Sequence, residues 1–313
     1  MRIAVFGTGA VGGYFGGRLA AAGEDVTFIA RGGTLQALRA HGLRVESIRG
    51  DFIVHPAKAT DAPSEVGTMD VVLVAVKAWQ VPEAAGPMRP LLGPGTVVIP
   101  LENGVEAPDQ LVSVVGPEHV AGGLCHLVAF QLAPGHVRHA GLEPDVAFGE
   151  LDRRESPRLE HLKRVFDRSG VKAELAPDIR VAMWEKFLFI ASLSGIGAVT
   201  RAPAGVVRAL PGTRHLLESA MAEIVALAGA IGVHLPDDAA ARTMAFIDAL
   251  PEEATASMQR DILAGRSSEL EAQNGAVVRL GREVGVETPV NGFIYRALLP
   301  QELRARGELR FPA

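Results

Sequence analysis

The rhythm of apolar and polar positions changes partway along the chain. Residues 2–6 read as a short buried strand, 11–22 as a helix and 25–30 as a second strand. A helix over 34–40 follows, then extended pieces over 43–47 and 51–55. The run at 69–76 is strongly β, 81–92 is helical but broken by Pro82, Pro87 and Pro90, and 96–100 is again a strand. Strands alternating with helices predict a parallel sheet covered on both faces. From Val120 the texture shifts: 120–132, 136–140 and 145–151 read as consecutive strands, an antiparallel extension of the sheet. An amphipathic helix over 156–169, with Ser156 at its N-cap and Gly170 as its stop, and a strand over 171–175 complete this half. After Pro177 only helical periodicity remains, over 178–194, 212–231, 237–249, 257–263, 268–284 and 289–299. The expected fold class is α/β: a Rossmann-type dinucleotide-binding domain over 1–176, then an all-helical substrate and catalytic domain over 177–313.

Composition narrows the class. The chain has 313 residues, enough for two domains, with 48% apolar and 21% charged residues. A net charge of −5 without a Lys/Arg block argues against nucleic acid as a partner. The apolar stretches carry charges or glycines and fall short of the roughly 20 residues of a membrane span, so neither a membrane partner nor a signal peptide is expected. Cys125 is the single cysteine, which excludes an internal disulfide and a cysteine-based zinc site and points to a reducing cytoplasm. Nothing here fixes the oligomeric state, and a homodimer stays open.

Gly7-Thr8-Gly9-Ala10-Val11-Gly12 fits G-x-G-x-x-G between the first strand and the first helix. In that context Gly7 serves the tight turn, Gly9 lets backbone approach a pyrophosphate, and Gly12 lets helix and strand pack closely. Ala10, Val11 and Gly12 offer N–H donors at the helix start. The second strand ends in Arg31-Gly32-Gly33, with no acid to hold a ribose 2′-hydroxyl. Arg31 suits a 2′-phosphate, so NADP(H) is favoured over NAD. Neither tyrosine starts a Tyr-x-x-x-Lys motif: Tyr14 is followed four residues on by Arg18, and Tyr295 by Leu299. The proton donor for a hydride-transfer reaction must lie elsewhere.

Three further segments carry a resemblance. They are Val74-Ala75-Val76-Lys77-Ala78-Trp79-Gln80, Leu101-Glu102-Asn103-Gly104-Val105 and Trp184-Glu185-Lys186-Phe187. With Ser257-Met258, Glu269 and the closing Thr288-Pro289-Val290-Asn291, the chain resembles the 2-dehydropantoate 2-reductase (ketopantoate reductase) family nearly throughout. The resemblance implies that Lys186 is the general acid, Glu269 the carboxylate that orients the lysine and the substrate hydroxyl, and Ser257 a contact of the substrate carboxylate. It implies that Asn103 positions the nicotinamide and the reacting carbonyl, and that Lys77 lies on the cofactor side. The family commonly has asparagines four, eight and eighteen residues beyond the lysine; here Ile190, Ser194 and Ala204 stand there. Ser194 is then the polar group left for substrate on that helix face. Reduction of 2-dehydropantoate to pantoate is the leading expectation, beside reduction of a more apolar 2-oxo acid and a non-catalytic NADP(H)-binding or sensing role.

Overall fold

The computed structural model describes residues 1–141 and 143–311. The chain forms two compact units, one of Met1–Glu102 with Ala107–Ile179, the other of Asn103–Glu106 with the chain from Arg180 onwards.

The first unit opens with β1 (Arg2–Phe6), α1 (Ala10–Ala21), β2 (Asp25–Ile29) and α2 (Gly32–His41). Next come β3 (Leu43–Ser47), β4 (Phe52–Val54), β5 (Lys58–Thr60), β6 (Val71–Val74), α3 (Val81–Met88), β7 (Val97–Pro100) and α4 (Ala107–Val115). It closes with β8 (Ala121–His126), β9 (Ala129–Ala133), β10 (His136–His139), β11 (Asp145–Glu150), α5 (Pro157–Arg168) and β12 (Lys172–Leu175). Five strands form a parallel sheet in the order β5-β2-β1-β6-β7. The order reverses direction between β1 and β6, and such a switch point is where an open α/β sheet receives a ligand, outside the carboxyl ends of its strands. β1, β6 and β7 are apolar almost throughout because both faces are covered.

The expected single strand over 120–132 is two strands in different sheets. β8 pairs antiparallel with β11, and β9 pairs antiparallel with β10. Nor do the strands from β8 onward make one antiparallel extension. β12-β11-β8 is a mixed sheet in which β11 and β12 run parallel, and β4-β3-β10-β9 is a second mixed sheet. α1 is wedged between the parallel sheet and this second one, which explains its glycines. A Cβ at Gly16 would stand 2.7 Å from the Phe28 ring, and one at Gly13 2.8 Å from Val137.

The second unit is helical: α6 (Ile179–Thr200), α7 (Ala204–Ala209), α8 (Pro211–Ala230), α9 (Ala239–Ala249), α10 (Ser257–Leu263), α11 (Ala276–Val284) and α12 (Pro289–Ala305). A π-helical turn, Glu271–Gly275, leads into α11. Contrary to the expectation that no segment has the length of a membrane span, α6 has both the length and the hydropathy. Two-thirds of its apolar window is buried, and Trp184, Phe187, Leu188, Ala191 and Ile196 belong to the apolar core of the second unit.

Candidate active site

In the first unit, β1 delivers the glycine loop to the switch point, and the three glycines do different work. Gly7 has φ +90°, and a Cβ there would stand 2.7 Å from the Ala75 carbonyl oxygen. A Cβ on Gly12 would meet the Gly7 carbonyl oxygen at 2.0 Å. Both are required by the chain's own packing. Gly9 is different. It is the N-cap of α1 with φ −84° and ψ −152°, and the nearest atom to a Cβ there is Gln131 Oε1, 4.0 Å away. Nothing in the protein demands glycine at this position, so the space beside it is a cradle that a side chain would fill. α1 has no side-chain cap and no acid in its first turn. Its first N–H groups, including those of Ala10, Val11 and Gly12, therefore remain available to an anion. The loop fits a dinucleotide pyrophosphate.

Arg31 is the N-cap of α2, its side chain 73% exposed, with Nη1 3.4 Å from Glu83 Oε1. A pair this open to solvent contributes little to stability, which leaves the guanidinium available to a stronger anion. Glu83, near the start of α3, was not singled out by sequence, because its neighbourhood with Arg31 spans 52 positions. Lys77 follows β6, with its backbone N–H donating to Gln80 Oε1 at 3.1 Å and its Nζ 5.8 Å from the Trp79 ring centre. Because Ala75 packs against Gly7, the Lys77 segment leaves the sheet beside the glycine loop.

The second unit gathers the remaining candidates. Asn103 Nδ2 donates to Glu269 Oε2 at 3.0 Å, across 166 positions of sequence. Glu269 is 8% exposed and stands two residues before the π-helical turn, whose Ala272 and Gln273 N–H groups donate to its carbonyl. Such turns recur at functional sites. Gly104, at φ +112°, approaches the Ala272 carbonyl so closely that a Cβ would stand 3.0 Å from it. Glu106 takes an ion pair from Arg279 at 2.6 Å. The short segment from Asn103 to Glu106 is thus fastened to the helical unit at three points.

Lys186 lies on α6 and is half-buried; its neighbours along the chain, Trp184 and Phe187, are buried and meet edge to face with ring centres 5.5 Å apart. Glu185 is engaged by Arg242 at 2.5 Å. Among the described residues no hydrogen bond or ion pair joins Lys186 to Glu269. Ile190 and Ser194 follow Lys186 at helical spacing on one face, Ile190 half-buried and Ser194 buried. Ala204 is buried at the start of α7. Ser257 is exposed as the first residue of α10, whose N-cap is Ala256. The Glu269 turn reaches α6 through Asn274, whose Nδ2 donates to the Ala191 carbonyl at 3.3 Å. Structure therefore brings Asn103, Glu269 and the middle of α6 together. Asn274, Ser268 and Glu302, which complete this corner, carried no motif.

Comparison with known proteins agrees with this layout. Residues 3–153 match the family model described as ketopantoate reductase PanE/ApbA, and residues 178–302 match its C-terminal counterpart. A 2-dehydropantoate 2-reductase of Mesorhizobium japonicum is 32% identical over 310 residues, covering 92% of this chain and 94% of that protein. An oxidoreductase of Bacillus subtilis named YkpB, described as uncharacterized, is 31% identical over 302 residues, covering 95% and 98%. The crystal structure of a PanE/ApbA family ketopantoate reductase from Ralstonia eutropha superposes with a TM-score of 0.89 at 33% identity, covering 98% of this chain and all of that one. The chain belongs to the ketopantoate reductase family, a group of NADPH-using oxidoreductases that act on CH–OH groups.

Proposed function

We propose that this protein reduces 2-dehydropantoate to pantoate with NADPH, using Lys186 as general acid. The observation that carries the reading is the Asn103–Glu269 pair in the same helical unit as Lys186, within a chain that matches the family model in both halves. NADPH supplies the hydride. The residues that would hold it are Gly7, Gly9, Ala10, Val11, Gly12, Arg31, Lys77 and Asn103. Negative charge develops on the carbonyl oxygen during reduction and needs a proton donor, the role given to Lys186. Glu269 holds Asn103 and orients the polar groups around the carbonyl. Ser257 and Ser194 are the candidate substrate contacts. NADPH oxidation with a panel of 2-oxo acids tests the reading. Turnover with 2-dehydropantoate supports it, and no turnover with any 2-oxo acid would leave only a binding role.

The cofactor choice has its own test. Arg31→Ala is expected to weaken NADPH binding by roughly 1–3 kcal/mol, the range for a charge-assisted contact, and to leave NADH nearly unchanged. Equal losses for both cofactors would overturn the assignment of Arg31 to a 2′-phosphate.

Ile190 and Ala204 favour a second reading, a more apolar 2-oxo acid. A site built to hydrogen-bond a hydroxyl discriminates strongly for it, and this site lacks two amides that the family commonly has. Ala204 is buried, whereas Ile190 is only partly buried and is the position to change. Ile190→Asn is expected to raise the kcat/KM ratio of 2-dehydropantoate over its analogue without the 4-hydroxyl about tenfold. If wild type already prefers 2-dehydropantoate several thousandfold and the variant changes nothing, Ser194 becomes the expected hydroxyl partner and the second reading falls.

A further inference from the structure

Glu302 is a carboxylate in the interior of the helical unit, 1% exposed on α12. It accepts the Ser268 backbone N–H at 3.1 and 3.0 Å and the Ser268 hydroxyl at 2.5 Å. The Ser268 Oγ in turn accepts the Leu270 N–H at 3.3 Å. Arg306, one helical turn beyond Glu302, donates to it at 2.7 Å. The Ser268 and Leu270 bonds converge on the two residues flanking Glu269, and Arg306 holds the carboxylate from the other side. The far end of the same segment is fixed as well: Asn274 Nδ2 donates to Asn291 Oδ1 at 2.9 Å, and Asn291 Nδ2 donates to Glu223 at 2.7 Å. A buried carboxylate costs several kcal/mol of desolvation, and well-packed apolar residues often serve stability equally well. What an apolar residue cannot do is hold two N–H and O–H donors in one fixed direction.

We propose that Glu302 is a positioning residue of the reaction: through Ser268 it fixes the turn that presents Glu269 to Asn103. The proposal rests on the reading of Glu269 as part of the catalytic machinery. Misplacing a catalytic group by about an ångström costs on the order of 10²-fold in rate. Glu302→Ala is therefore expected to lower kcat with 2-dehydropantoate about 10²-fold, and Ser268→Ala, which spares the backbone contacts, about tenfold. NADPH affinity, followed by fluorescence titration, should stay within about threefold of wild type, because the glycine loop belongs to the other unit.

The deciding measurement is the double variant. If Glu302 acts through Glu269, adding Glu302→Ala to Glu269→Ala costs no further activity, since residues that work as a unit are non-additive. A full additional loss in the Glu269→Ala background, or wild-type kcat in the folded single variants, overturns the proposal. If Glu302→Ala does not fold, Ser268→Ala in the two backgrounds decides in the same way. Near wild-type activity of Glu269→Ala by itself would instead remove the reading of Glu269 and the proposal with it.

Discussion

Lys186→Ala is expected to lower kcat by about 10²–10⁴, the usual contribution of a general acid, with NADPH affinity largely kept. The expectation follows from where the lysine stands. Lys186 is half-buried on a helix whose Trp184 and Phe187 are buried, and Glu185, the nearest carboxylate in sequence, is engaged by Arg242. Lys186→Arg separates two roles for the side chain. Arginine keeps the positive charge but does not give up its proton at ordinary pH, so it restores little if the lysine is an acid and most of the rate if only its charge matters. A Lys186→Ala enzyme within a few-fold of wild type would refute the role altogether.

The dinucleotide loop of the first unit was legible in sequence because its chemistry is local. A strand, a turn and a helix N-terminus place three glycines within six positions, and each position has a fixed meaning in the dinucleotide motif. The helical half was legible only as a resemblance. Asn103 and Glu269 are 166 positions apart, and no periodicity joins them. Ser268 and Glu302 read in sequence as an ordinary serine before a helix and an acid on a helix. Only packing turns that acid inward. The structure also shows what the motif left unsaid: Glu269 meets Asn103, and its turn meets α6 through Asn274 rather than through Lys186.

The fold divides in the same way. The α/β half and the helical half followed from a change of period. Short or polar elements did not. β5 is three residues at the sheet edge, Lys58–Thr60, with no apolar alternation, and it pairs with β2. α4, Ala107–Val115, was not expected at all; it begins just after the Asn103 segment with Pro108 in its first turn, where proline is at home. The split between β8 and β9 is hidden because Leu127 and Val128 continue the apolar run across the point where the chain changes sheets. The expected helix over 268–284 begins later, with the π-helical turn Glu271–Gly275 leading into α11, so Ser268 and Glu269 lie in the non-helical segment before it.

The glycine loop yields the second large expected effect. Gly9→Val is expected to weaken NADPH binding about 10³-fold, roughly 4 kcal/mol, and Gly9→Ala about 10- to 100-fold. The reasoning separates the protein's needs from the ligand's. Gly12→Ala would drive a Cβ to 2.0 Å from the Gly7 carbonyl oxygen, so its damage should appear as a lower Tm without any ligand. Gly9 has an extended backbone and no protein atom closer than 4.0 Å to the position of a Cβ. Alanine there should leave the apo Tm unchanged or slightly raised, since it restricts the unfolded chain. Its methyl group would occupy the cradle at the N-terminus of α1, where a pyrophosphate must come close to collect the free N–H groups. Apo Tm and NADPH titration for the Gly9 and Gly12 variants check both halves of the argument. A Gly9→Val protein that binds NADPH as tightly as wild type would show that the dinucleotide does not approach α1 at this loop.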